Sequence, residues 1–309
     1  MKSIVFGFAM LLASSTIASA TTQTLVFGDS QSDVGRESAI LGDEWNSEAY
    51  PFDQRTNTVT WAERIGATLE SGYNFAVGGA RAVDNGDIKP DFAEQRQDYF
   101  TALTQGLDIS TVGPVAINFG GNDFRDLLSA GLPTQEQVIA ASGAIITEIV
   151  TGIAEIASTG LTDFVVFGMP DLSRFPSVAG QAFAGLVRGA VEAYDAALQQ
   201  TLAGFAAQTG LNIDVFSVVA LQDNIFTNAE AFGFDILNQP ACTEVNGVII
   251  SCDNPQGYFF WDEIHPTGAV HEIVAAEFSE RYLSEVPLPA GFPLLLTGLA
   301  LFGLASRGH

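Results

Sequence analysis

A serine hydroxyl attacks a carbonyl only if a base takes its proton and fixed donors receive the charge that develops on oxygen. The sequence carries candidates for every part. Thr24-Leu25-Val26-Phe27 runs into Gly28-Asp29-Ser30-Gln31-Ser32-Asp33-Val34-Gly35. Ser30 thus falls just past a strand end, where backbone N–H groups point outward and favour negative charge. A Gly-Asp-Ser turn alone is a common helix N-cap, and this one is not the Gly-x-Ser-x-Gly elbow of α/β-hydrolases. Of the three histidines, His309 lies at the end of the chain and His271 reads as a surface residue of the last helix. His265 remains, in Trp261-Asp262-Glu263-Ile264-His265-Pro266-Thr267. Asp262, three residues earlier, can reach the imidazole within one tight turn. Nδ1–H then faces Asp262, and Nε2 is free to take the Ser30 proton. Oxyanion donors come from two further turns, Asn74-Phe75-Ala76-Val77-Gly78-Gly79-Ala80 and Gly120-Gly121-Asn122-Asp123. They supply a glycine amide and an asparagine side chain to meet Ser30.

These groups are far apart in sequence, so a fold must gather them. Short apolar runs at 24–28, 73–77, 114–120, 162–168 and 212–217 read as buried strands. Helical patterns occupy 59–69, 92–103, 135–157, 181–208 and 268–283. In the fourth, Phe183, Leu186, Val187, Ala190, Val191 and Tyr194 recur at helical spacing and read as core packing. Alternation of this kind implies a parallel sheet with helices on both faces. With strand order 2-1-3-4-5, the three turns converge at the carboxyl edge of the sheet, where such folds bind ligands. Residues 216–261 are richer in turns and read as an insertion.

Gly-Asp-Ser-x-Ser-Asp-x-Gly, Asn-Phe-Ala-Val-Gly-Gly-Ala, Gly-Gly-Asn-Asp and Asp-Glu-Ile-His-Pro-Thr, in that order, resemble the four blocks of the GDSL (SGNH) lipase and esterase family. The resemblance spans roughly residues 24–283. It implies a flavodoxin-like three-layer α/β/α domain with a central parallel sheet of five strands, no cofactor, and hydrolysis of carboxylic or lipid esters. Position by position it makes Ser30 the nucleophile, His265 the base and Asp262 its orienting carboxylate, with the Ser30 amide, Gly78 (Gly79 being a near-equal candidate) and the Asn122 side chain forming the oxyanion hole. The same site suits an acyltransferase or a polysaccharide deacetylase. A surface or matrix protein that keeps the fold without the activity is the reading from another class.

Composition narrows the partners. Apolar residues make up 47% of the 309 and charged residues 16%, enough to build a core and too few charges for a disordered chain. Acidic residues outnumber basic ones 36 to 12, a formal charge of −24 that argues against nucleic-acid binding. A calcium module would rest on that acidic balance alone, since no loop has ligand spacing. Lys2, an apolar stretch and Ala18-Ser19-Ala20 make residues 1–20 a secretory signal peptide. The domain is then 21–285. Residues 286–309 open Val-Pro-Leu-Pro-Ala, contain no Asp or Glu, and continue as an apolar run to Ser306 and Arg307. As a helix that run spans about 25 Å, near the thickness of a bilayer core. The tail resembles PEP-CTERM sorting signals, which implies possible membrane attachment and a sorting protease as partner. Cys242 and Cys252 are the only cysteines, so an exported chain would pair them. A three-residue loop over 246–248 would set them opposite each other in a hairpin. The acyl pocket is expected from 45–52, 124–128 and 216–234.

Overall fold

The computed structural model describes residues 22–245 and 248–283. The leader 1–20, the tail 286–309 and the hairpin tip Asn246-Gly247 lie outside the described residues. The central sheet is parallel, with β1 (Gln23–Gly28), β2 (Val112–Asn118), β3 (Asp163–Phe167) and β4 (Asn212–Phe216) in the order β1-β2-β3-β4. Residues 73–77 lie along the free side of β1, the place expected for a fifth strand. They make a single bridge, Val26 to Asn74, although the Phe75 and Val77 amides donate to Val26 and Gly28. The outward-facing Ala76 amide is taken by the Asn74 side chain at 2.9 Å. The edge closes on itself instead of offering a ladder to another strand. The sheet therefore has four full strands and an irregular fifth, in the 2-1-3-4-5 arrangement.

The period of two along each strand divides the core into layers. Phe27, Ile117 and Val166 are in register and pack toward α3 (Phe92–Thr104), α5 (Gln135–Ala157) and α6 (Ala184–Thr209). Val26, Ala116 and Val165 face the other way, toward α2 (Trp61–Arg64) and α9 (Gly268–Phe278). Apolar runs buried on both faces explain why β1, β2 and β3 lack simple alternation, whereas β4, at the edge, alternates between exposed and half-buried residues. α1 (Arg36–Leu41) and α4 (Gly121–Ser129) follow the first and third turns.

The helical segment expected over 59–69 is a single turn, α2, because Gly66 takes φ +90° and ends it. So short a helix is not self-supporting. Trp61 holds it, its ring tilted against Phe167 and Phe278 at 4.7 and 5.0 Å between centroids. Along α6, Val187, Val191 and Tyr194 are buried as the stripe predicts, while Leu186 is exposed. His271, expected at the surface, is buried on the inner face of α9. Its Nδ1 accepts the Trp61 amide at 3.3 Å, and burial depresses its pKa to about 3, so it serves as a neutral acceptor.

Between β4 and α9 the expected insertion holds α7 (Val218–Thr227), α8 (Ala229–Phe232), β5 (Ile236–Pro240) and β8 (Tyr258–Phe260), which pairs with β5. The hairpin β6 (Cys242–Val245) and β7 (Val248–Cys252) carries the disulfide, and Cys242 lies opposite Cys252. The expected three-residue loop is not how that register arises. Val248 already pairs with Val245, and a bulge at Ile250 supplies the missing residue.

Candidate active site

The position of Ser30 is set by how β1 stops. The Gln95 side chain, from α3, accepts from the Gly28 amide at 3.0 Å and donates to the Gly28 carbonyl at 2.9 Å. It imitates a neighbouring strand for the last residue before the turn. Downstream, Ser32 Oγ accepts from Trp61 Nε1 at 3.1 Å and from Asn118 Nδ2 at 3.2 Å. The buried Asp33 carboxylate gathers four backbone amides, those of Gly35, Arg36, Glu37 and Gly78, at 2.7–2.9 Å. The turn carrying Ser30 and the turn carrying Gly78 are thereby pinned together.

Within this frame Ser30, His265 and Asp262 form one hydrogen-bonded line. His265 Nε2 is 2.8 Å from Ser30 Oγ, and His265 Nδ1 is 2.7 Å from Asp262 Oδ2. All three residues are buried. Asp262 Oδ1 accepts the amides of Ile264 and His265 at 2.9 and 2.7 Å, which closes the tight turn that the spacing implied. Tyr50 also donates to Asp262 Oδ2, at 2.6 Å. Burial alone would raise the Asp262 pKa, but the imidazole, the phenol and the backbone amides outweigh it and hold it near 2. The orienting carboxylate is therefore charged across the working pH range, as imidazolium stabilisation requires. Asp29 beside the nucleophile behaves oppositely. Its burial outweighs the hydrogen bond from the Gln31 amide and raises its pKa to about 6.

Of the expected oxyanion donors, Asn122 Nδ2 is close by, donating to the Ala80 carbonyl at 2.9 Å with its second hydrogen uncommitted. The Gly78 amide is spoken for: it donates to Asp33 at 2.8 Å. Gly79, at φ +86°, lines the cleft, and neither its amide nor that of Ser30 has an acceptor among the described residues. Behind this turn lies the buried Glu37, held by a bidentate pair with Arg55 at 2.8 and 2.9 Å and by Lys89 at 2.7 Å. Those cations outweigh burial and keep the Glu37 carboxyl near 2.

A small recess at Ser30, lined by Ser30, Asn122, Pro170, Phe175, Ile264 and His265, shares wall residues with two larger cavities. On one side is an apolar pocket of about 70 Å³ walled by Phe167, Phe175, Leu221, Ile225, Phe260 and Val270. On the other is a polar cleft of about 580 Å³ whose lining mixes the cations Arg55, Arg81, Lys89 and Arg125 with the carboxylates Glu37, Glu44, Asp87, Glu244 and Asp262. The 216–234 segment contributes to the apolar pocket as expected. Asn46, Tyr50 and Arg125, from the other two expected segments, line the polar cleft instead.

Sequence reasoning did not single out Tyr50, Asp33, Glu37 or Gln95. Asp33 stands inside the first motif and could have been found as the turn's own amide acceptor. Tyr50, Glu37 and Gln95 act through contacts 212, 18 and 67 residues away, and no local signal marks them.

An open parallel sheet with Ser, His and Asp aligned at its carboxyl edge defines a hydrolase-type α/β domain. Residues 25–278 match the family described as GDSL-like Lipase/Acylhydrolase, and the chain belongs to that family. It is 23% identical over 278 residues to the thermolabile hemolysin of Vibrio parahaemolyticus, the match covering 84% of this chain and 63% of that protein. The chain thus spans less than two thirds of that relative's length. It is also 23% identical over 301 residues to a GDSL esterase/lipase of Arabidopsis thaliana, covering 80% of this chain and 82% of that one. Among solved structures it is similar to an extracellular lipase from Streptomyces rimosus, with a TM-score of 0.43 and 16% identity, covering 83% and 98% of the two chains.

Proposed function

We propose that this protein is an exported serine esterase that cleaves carboxylic esters through an acyl-enzyme on Ser30. The observation that carries this reading is the continuous line from Ser30 Oγ through both ring nitrogens of His265 to Asp262, at 2.8 and 2.7 Å. Ser30 attacks the ester carbonyl while His265 Nε2 takes its proton. The Ser30 and Gly79 amides and Asn122 Nδ2 receive the oxyanion; Gly79 replaces Gly78 in this role because the Gly78 amide already serves Asp33. His265 then protonates the departing alcohol, and water repeats the cycle to release the acid. The apolar pocket, at about 70 Å³, favours a short acyl group over a long one. No cofactor enters any step. The leader 1–20 supports export, and the tail 286–309 supports attachment to a membrane followed by removal by a sorting protease.

The test is turnover of p-nitrophenyl butyrate by a folded Ser30→Ala variant, with fluorophosphonate labelling of the unaltered protein. Removing the nucleophile leaves only binding and the oxyanion donors, a fall of roughly 10³-fold or more. Turnover near the unaltered level would refute the assignment. Absence of both turnover and labelling in the unaltered protein would favour a non-catalytic surface protein. Acceleration by added alcohols, with ester products, would favour an acyltransferase.

A further inference from the structure

In a chain with 36 acidic and 12 basic residues, a cation without a carboxylate partner is unexpected. Among the described residues every lysine and arginine but one has a carboxylate within 4.0 Å. The exception is Arg125. Its charge is felt by the buried Asp29, but no carboxylate oxygen comes within ion-pair distance of it; Asp126 holds Arg81, and Asp123 accepts the Ala82 and Val83 amides. Arg125 stands on the first turns of α4, lines both the polar cleft and the recess at Ser30, and is absent from the walls of the apolar pocket. One arm, Nη1, donates to Asn122 Oδ1 at 2.8 Å, which ties the guanidinium to the Asn122 side chain. The remaining N–H groups form a planar fork suited to two oxygens of an anion. Lys89 lines the same cleft beside Gly79, where a methyl group placed on that glycine would come within 2.7 Å of its Nζ, and its ammonium is held by Glu37.

Building on the esterase reading, we propose that Arg125 is an anion-binding residue, and that the preferred substrates are esters with a carboxylate or phosphate on the alcohol side. The acyl group enters the apolar pocket and the carbonyl sits at Ser30. The alcohol portion extends into the polar cleft, where its anion meets Arg125. With a formal charge of −24 the molecule as a whole repels anions. A selective local cation is therefore needed to hold one beside the nucleophile.

The experiment compares kcat/KM for 4-butyryloxybenzoate and 4-butyryloxyphenyl phosphate with that for neutral 4-butyryloxybenzamide. The ratio of each anionic ester to the neutral one is taken within each protein, so any disturbance of Asn122 cancels. A charge-assisted hydrogen-bonded pair predicts a ratio of roughly ten or more in the unaltered enzyme. In Arg125→Gln the ratio should fall to about one, and in Arg125→Glu below it, while Arg125→Lys keeps part of it. Whichever anionic ester shows the larger ratio identifies the anion. A ratio at or below one in the unaltered enzyme overturns the proposal, as does a preference that survives Arg125→Gln. Failure to cleave any of the three esters would overturn the esterase reading itself, a result distinct from cleavage without preference.

Discussion

Two carboxylates, Asp29 next to Ser30 and Asp262 three residues before His265, are driven in opposite directions by their surroundings. Asp262 collects an imidazole, a phenol and two amides and stays charged. Asp29 has one amide and a dry environment, and its pKa is raised to about 6. The linkage follows directly. A group whose folded pKa exceeds its unfolded value contributes stability that is full at low pH and lost as pH rises through the folded value. Above pH 6 the native state must hold a buried, poorly partnered charge at Asp29. Asp29→Asn, which keeps the acceptor for Gln31, should therefore stabilise the fold at pH 8 relative to pH 4 by up to roughly 3 kcal/mol. Urea denaturation at the two pH values measures it, and an equal effect at both would contradict the buried-charge account.

At the level of elements, the turns after the strands do the positioning, and they were the most legible parts of the sequence. The aligned Ser30, His265 and Asp262 were readable because each sits in a short motif whose spacing is its geometry. The glycine donor was not readable, because adjacent glycines differ only in where their amides point. The structure separates them by their neighbours. A Cβ on Gly78 would fall 1.9 Å from Glu37 Oε2, and one on Gly79 2.7 Å from the movable Lys89 ammonium at φ +86°. Gly78→Ala should displace Glu37 from Arg55 and Lys89 and cost roughly 3–5 kcal/mol, read as a lowered unfolding midpoint. Gly79→Ala should leave a folded protein, with backbone strain of about 1–3 kcal/mol, and lose roughly 10²-fold in kcat as its amide swings from the oxyanion. The reverse pattern, a folded but inactive Gly78→Ala beside an active Gly79→Ala, would return the role to Gly78. Other elements escaped reading for tertiary reasons. α2 exists because Trp61 finds Phe167 and Phe278, partners distant in sequence. His271 reads as a polar helical residue, yet the amide of Trp61 draws it inward. The hairpin register needed the bulge at Ile250, which β-strand alternation does not announce.

For the whole molecule, charge is the dominant quantity. Carboxylates outnumber bases threefold, and nearly every described base is already paired, so the uncompensated remainder is mutual repulsion. Individual surface pairs contribute about 0–1 kcal/mol each, whereas the surplus charge acts on the entire compact state. Raising NaCl from about 10 mM to about 150 mM, which shortens the Debye length from roughly 30 to 8 Å, should raise the Tm. A Tm that falls with salt would assign the greater weight to the ion pairs. The disulfide has a consequence on the same scale. Cys242 packs among Ala49, Tyr50 and Trp261, and the hairpin it clamps lends Glu244, Val248 and Ile249 to the cleft. The phenol that steadies Asp262 belongs to the same cluster. A chain still in a reducing compartment would own its reactive serine but lack a firm rim around it. Oxidation would then act as a maturation step, delaying full competence until the protein reaches surroundings where its sulfurs can join.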